Sequence, residues 1–85
     1  MRRWPEWWDW ELELSPHLLK RMADRDFTEV DVRSMLQEAT RLRRDIQAGR
    51  WIASTHLRRR RWEVILEPDT HARMLIVITA YPVSP

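Results

Sequence analysis

The chain has no cysteine, one glycine and one lysine in 85 residues. Without cysteine there is no disulfide, no thiolate nucleophile and no cysteine-held metal, so the fold must rest on packing. A single glycine leaves no glycine-rich loop to cradle a phosphate, which removes the common nucleotide-binding motifs. Long apolar runs are also missing. The longest, Met74 to Ile78, falls far short of a bilayer span, and no N-terminal stretch has the apolar length of a signal peptide. A cytoplasmic domain with no membrane contact is the expectation. His17, His56 and His71 stand far apart, with no H-E-x-x-H spacing beside them, so neither a metal nor a cofactor is expected.

Six tryptophans and fourteen arginines dominate what is present. The length suits one small domain over residues 1–85, with residues 1–8 as a flexible or partner-binding segment. Net charge is only +2, but residues 41–61 concentrate eight arginines against Asp45. Arginine suits bidentate phosphate contacts, and a local block of it can draw in a polyanion. A bias toward arginine codons is the plainer explanation of the same composition.

Asp9 to Leu14 alternates, with Trp10, Leu12 and Leu14 opposite Asp9, Glu11 and Glu13, and predicts a half-buried edge strand. Trp4, Trp7 and Trp8 either cover one end of the core or form a sticky surface for a partner, another copy or another chain. Ser15-Pro16 starts a helix of about three turns that buries Leu18, Leu19 and Met22 and ends near Asp26. Thr28 and Asp31 start a second helix, with Phe27 stapled onto Val32. Its buried series runs through Val32, Met35, Leu36, Ala39, Leu42 and Ile46, and Ala48-Gly49 supplies the stop.

Three strands follow. Trp51 to His56 alternates, Leu57 to Arg61 is the turn and the start of the next strand, and Trp62 to Glu67 alternates again. Pro68 to His71 forms a hairpin loop, and Arg73 to Ala80, apolar on both faces at its centre, is a covered central strand. The order is β-α-α-β-β-β, an α+β fold with two N-terminal helices on a mostly antiparallel sheet.

Two constellations can carry chemistry. His17, Arg21 and Arg25 recur at i, i+4 and i+8 on the first helix, and Thr79 and Tyr81 end the last strand, pointing the same way as Leu75 and Val77. Base, cations and a hydroxyl acid brought together would suit a ribonuclease that needs no metal. The base activates the 2′-hydroxyl, the cations stabilise the phosphorane, and the acid protonates the departing 5′-oxygen. Arg41, Arg43, Arg44 and Arg50 with Arg58, Arg59, Arg60 and Arg61 form the candidate RNA-binding patch. The plainer readings are a packing histidine, solvated surface arginines and a tyrosine that closes a strand end.

The run SPHLLKRMADRDFTEVDV, with its His-x3-Arg-Met-x2-Arg spacing, resembles a bacterial family of small domains, and RWEVILEPDTHARMLIVITAYP is similar to that family's ending. The family in turn is similar to BrnT-like and RelE-like toxins. The resemblance implies a RelE-like fold, a type II toxin acting as a metal-independent endoribonuclease, and a protein antitoxin as partner. It places His17, Arg21, Arg25, Thr79 and Tyr81 at the family positions. Where the pattern has glycine, this chain has Asp26. Two other readings stand beside it: a nucleic-acid-binding domain without catalysis, and a protein-interaction domain that dimerises through its N-terminal tryptophans.

Overall fold

The computed structural model describes residues 4–83, and its first corner is set by Ser15 and Pro16. Strand β1 (Glu11–Leu14) arrives with Leu12 and Leu14 half-buried and both glutamates exposed, as its alternation dictates. The Ser15 hydroxyl accepts the Leu18 N–H at 3.0 Å, capping helix α1 (Pro16–Arg25), and donates to the Ile78 carbonyl at 2.6 Å. The Ser15 N–H donates to the Val77 carbonyl at 3.1 Å. One residue thus closes a strand, starts a helix and ties both to the last strand. Leu18 is fully buried and Met22 half-buried, but Leu19 is 52% exposed. One short helix lying on a sheet covers a narrow face, and Leu19 is rotated about 100° from Leu18.

Asp26 ends α1 in the left-handed region, φ 56° and ψ 53°. Glycine adopts that conformation without a Cβ penalty, and an acid at a helix C-terminus also opposes the helix dipole. Phe27 follows, buried with its ring edge-on to Trp62 at 5.1 Å. Thr28 and Asp31 exchange side-chain bonds with each other's N–H groups, at 3.2 and 2.9 Å, and launch α2 (Glu29–Gln37).

The second helix is shorter than its apolar spacing predicts. Val32, Met35 and Leu36 are buried on it, but Arg41–Arg44 forms strand β2, with Leu42 half-buried in the sheet and Ile46 fully exposed beyond it. Residues 38–44 suit a helix, yet β3 offers a sheet edge, and tertiary pairing overrides local propensity. Ala48-Gly49 is accordingly a turn between strands, Gly49 having φ 85°.

Strands β3 (Trp51–Leu57), β4 (Arg60–Asp69) and β5 (Met74–Pro82) complete the element order. The β3–β4 turn is Arg58-Arg59 alone, both at positive φ (51° and 66°), as a two-residue primed hairpin turn requires. Between β4 and β5, Asp69 Oδ1 accepts the N–H groups of His71 and Ala72, both at 3.1 Å. Pro68 and Asp69, expected in that loop, still pair with Leu75 and Met74. The result is an α+β fold: two helices on a five-stranded sheet of order β1-β5-β4-β3-β2, antiparallel except for the parallel β1–β5 pair. Between the helices and the sheet lies the core, with Leu18, Val32 and Met35 against Val64, Leu66 and Val77.

Trp4, Trp7 and Trp8 pack on this core. Trp4 stacks on Trp8 at 4.7 Å, and Trp7 meets Trp51 at 5.4 Å. Of the N-terminal segment expected over residues 1–8, residues 1–3 lie outside the described residues. Among the described residues no helix is long and apolar enough to cross a membrane.

The alternation of β5 breaks once. Adjacent residues Leu66 and Ile65 of β4 face Val77 and Thr79, so Ile78 has no partner and forms a bulge. Leu75 and Val77 are buried against the helices. After the extra residue it is Ala80, fully buried and opposite Val64, that takes that face. Thr79 and Tyr81 therefore point to the helix-free face, opposite to Leu75 and Val77, contrary to a strict period of two.

Ser15→Ala removes both hydroxyl bonds and should cost about 2 kcal/mol of unfolding free energy, read by urea titration. Asp26→Gly should instead stabilise by about 0.5–1 kcal/mol, with an unchanged denaturant slope. A loss of stability would show that the aspartate side chain holds the junction.

Candidate functional site on the open sheet face

Helices cover one face of the sheet; the other carries Ile52, buried Ile65 and Thr79 in one cross-strand row, with polar side chains in the rows beyond it. Opposite the row of half-buried Leu42 and buried Ala53, Val64 and Ala80 lie Arg41 and Arg43 on β2, Ser54 and His56 on β3, Arg61 and Glu63 on β4, and Tyr81 on β5. A hydrogen-bonded belt crosses four strands. The Tyr81 hydroxyl donates to Glu63 Oε1 at 2.8 Å, Arg43 Nη2 donates to Glu63 Oε2 at 2.8 Å, and Arg43 Nη1 donates to Ser54 Oγ at 3.0 Å.

Glu63 is the centre of the belt. The hydrogen bond from Arg43 holds its carboxyl below the usual value of 4.5, against the opposing effect of burial, with further help from Tyr81 and the nearby Arg61 charge. Tyr81 is pushed up to about 12, first by burial and then by its bond to the Glu63 carboxylate. Its hydroxyl stays protonated across the physiological range and acts as a donor. Removing either Arg43 or Glu63 would leave the other a half-buried charge without its counter-ion. Beside the belt, Thr79 Oγ1 is buried and has no hydrogen-bond partner among the described residues.

A cleft of about 300 Å³ adjoins the belt, lined by Arg41, Ser54, His56, Arg61, Glu63 and Val83. His56 and Arg61 are direct partners across β3 and β4, and both are exposed. An anion can lie against the two arginines with an imidazole next to it.

The structure separates the two halves of the sequence-predicted centre. His17 and Arg25 are exposed and Arg21 half-buried on α1, in the helical layer, whereas Thr79 and Tyr81 lie across the sheet. The expected arginine patch divides as well. Arg58 donates to the Asp26 carbonyl at 3.2 Å and pairs with Asp31 at 3.1 Å, tying the hairpin to the helix junction. Arg50 pairs with Glu67, Arg43 with Glu63, and Arg44 lies over the Trp51 ring at 5.1 Å. Arg41, Arg59, Arg60 and Arg61 form no salt bridge among the described residues, and all four are exposed. Sequence reasoning passed over Ser54, His56 and Glu63 as site residues. The period-two alternation places each on the polar side of its strand, but the strand neighbours that assemble them are not visible from it. No group of three or more His, Cys, Asp or Glu among the described residues is placed to hold a metal ion.

Fold and cleft together define a small α+β domain with one helix-covered sheet face and one helix-free face that bears an arginine-lined cleft. Residues 14–82 match the family described as Domain of unknown function (DUF4258), and the chain belongs to that family. No curated protein matches the chain, and neither does any solved structure.

The belt makes a pH prediction. Tyr81 is the single tyrosine, so phenolate absorbance reports it alone, and its midpoint should lie near 12. In Glu63→Gln that midpoint should fall part of the way toward 10, because burial remains. Glu63 is lowered on folding, so its stabilisation is full above the unfolded carboxyl value and lost as pH falls through the folded one. Glu63→Gln should flatten this acid limb of stability against pH. An unchanged acid limb would mean that the Arg43–Glu63 pair adds no stability.

Proposed function

We propose that this domain is a metal-independent endoribonuclease of the type II toxin class, with a RelE-like arrangement and its chemistry on the open sheet face. The supporting observation is the cleft lined by exposed Arg41, His56 and Arg61 together with Glu63, whose carboxylate is held from outside that lining by the Tyr81 hydroxyl. Arg41 and Arg61 bind the scissile phosphate and stabilise charge on the phosphorane. His56, the imidazole that lines the cleft, takes the 2′-hydroxyl proton. As the 2′-oxygen attacks phosphorus, the bond to the 5′-oxygen breaks to leave a 2′,3′-cyclic phosphate, and the departing oxygen takes its proton from solvent in the open cleft. The requirement for the 2′-hydroxyl restricts cleavage to RNA. Exposed Arg59 and Arg60, on the hairpin leading into Arg61, extend the contact to neighbouring phosphates. The natural regulator is a protein antitoxin that covers this face.

In this reading the helix set His17, Arg21 and Arg25 takes no part in the chemical step. Purified protein incubated with a structured RNA pool in EDTA should cleave it. His56→Ala and Arg61→Ala should each lower the rate about 100-fold or more, while His17→Ala should leave it within a factor of about two. Loss of cleavage in His17→Ala with retention in His56→Ala would return the chemistry to α1. Salt-sensitive RNA binding without cleavage would replace the enzyme reading with a non-catalytic nucleic-acid-binding domain.

A further inference from the structure

The two edges of the sheet carry opposite charge on matching patterns. At one edge β1 reads Glu11-Leu12-Glu13-Leu14, and at the other β2 reads Arg41-Leu42-Arg43-Arg44. Neither strand contains a proline, and neither carries the register break seen in β4–β5. Each presents one row of backbone groups without a strand beside it. Like charge on an edge blocks addition of the same edge from another copy. Here the block applies to β1 against β1 and to β2 against β2, and not to β1 against β2.

Direction and facing agree with charge. β1 runs parallel to β5, and β5, β4, β3 and β2 alternate in direction, so β1 and β2 run oppositely. A second copy placed beside the first, with its helices on the same side, sets its β1 antiparallel to β2. Directly opposite residues then share a face. Arg41 meets Glu13, Leu42 meets Leu12, and Arg43 meets Glu11. The acids and arginines fall on the open face and the leucines on the helical face. Arg41 is the principal cation of this contact, being exposed and in no salt bridge among the described residues, whereas Arg43 is already held by Glu63.

We infer that the β2 edge is a docking surface for the β1 edge of a second copy of this chain, joining the two sheets head to tail. The contact is heterologous, so each added copy leaves a new β2 edge exposed and association does not stop at a dimer. Each added step carries only four residues per strand, which makes the association weak and dependent on concentration. Because Arg41 also lines the cleft, docking brings Glu13 of the second copy to the rim of the open-face site. The inference stands apart from the ribonuclease reading.

Sedimentation velocity of the full chain at low salt, over a range of concentrations, tests it. The average mass of the wild type should rise with concentration and fall back on adding salt. Glu11→Arg/Glu13→Arg and Arg41→Glu, all at exposed positions, should each remain monomeric alone and associate when mixed, since each supplies the edge that the other lacks. A wild type that is monomeric throughout would overturn the inference. So would association that survives either reversal, which would place the contact elsewhere, at the N-terminal tryptophans or between like edges.

Discussion

The bond from the Ser15 hydroxyl to the Ile78 carbonyl connects the two events that shape this domain. Ile78 is the extra residue of β5, and Ser15 is both the end of the strand beside it and the cap of α1. Without the extra residue, Tyr81 would point with Leu75 and Val77 into the helical layer, and Ala80 would face solvent. With it, the small Ala80 closes the core, and the Tyr81 hydroxyl reaches Glu63 on the other side. A bulge increases twist and redirects side chains. Here the redirected side chain completes a polar belt.

Competition between helix and strand at residues 38–44 is the second determinant. As a continued helix, this segment would turn Arg41, Arg43 and Arg44 around an axis and leave β3 as the sheet edge. As β2, it sets Arg43 across Ser54 and Glu63, and places Arg41 at the cleft. The helix stops where the sheet edge becomes available, with the Thr40 N–H donating to the Ser54 carbonyl at 2.9 Å.

Arginine is abundant, but its members do different work. Arg58 ties a hairpin to the helix junction, Arg50 and Arg43 neutralise carboxylates across strands, and Arg44 covers a tryptophan. Those contacts hold the fold. Of the eight arginines in residues 41–61, Arg41, Arg59, Arg60 and Arg61 are exposed and form no salt bridge among the described residues, and they lie on the β3–β4 hairpin and on the β2 edge. Lys20 and Arg25 on α1, in the helical layer, are exposed and outside any salt bridge among the described residues as well.

What the sequence by itself determined is local. The Ser15-Pro16 start, the Thr28–Asp31 capping pair, the alternation of β1, β3 and the first half of β4, and the class of fold all follow from hydrogen bonds and side-chain periods within a few residues. The end of α2 and the orientation of Thr79 and Tyr81 do not, because both depend on partners distant in the chain: β3 for one, Leu66 and Ile65 for the other. The candidate site shares that dependence. His56 and Glu63 were placed on the polar sides of their strands by alternation alone. Their union with Arg41, Arg61 and Tyr81 required the strand order, since cross-strand neighbours are chosen by the register of the whole sheet and not by any one strand.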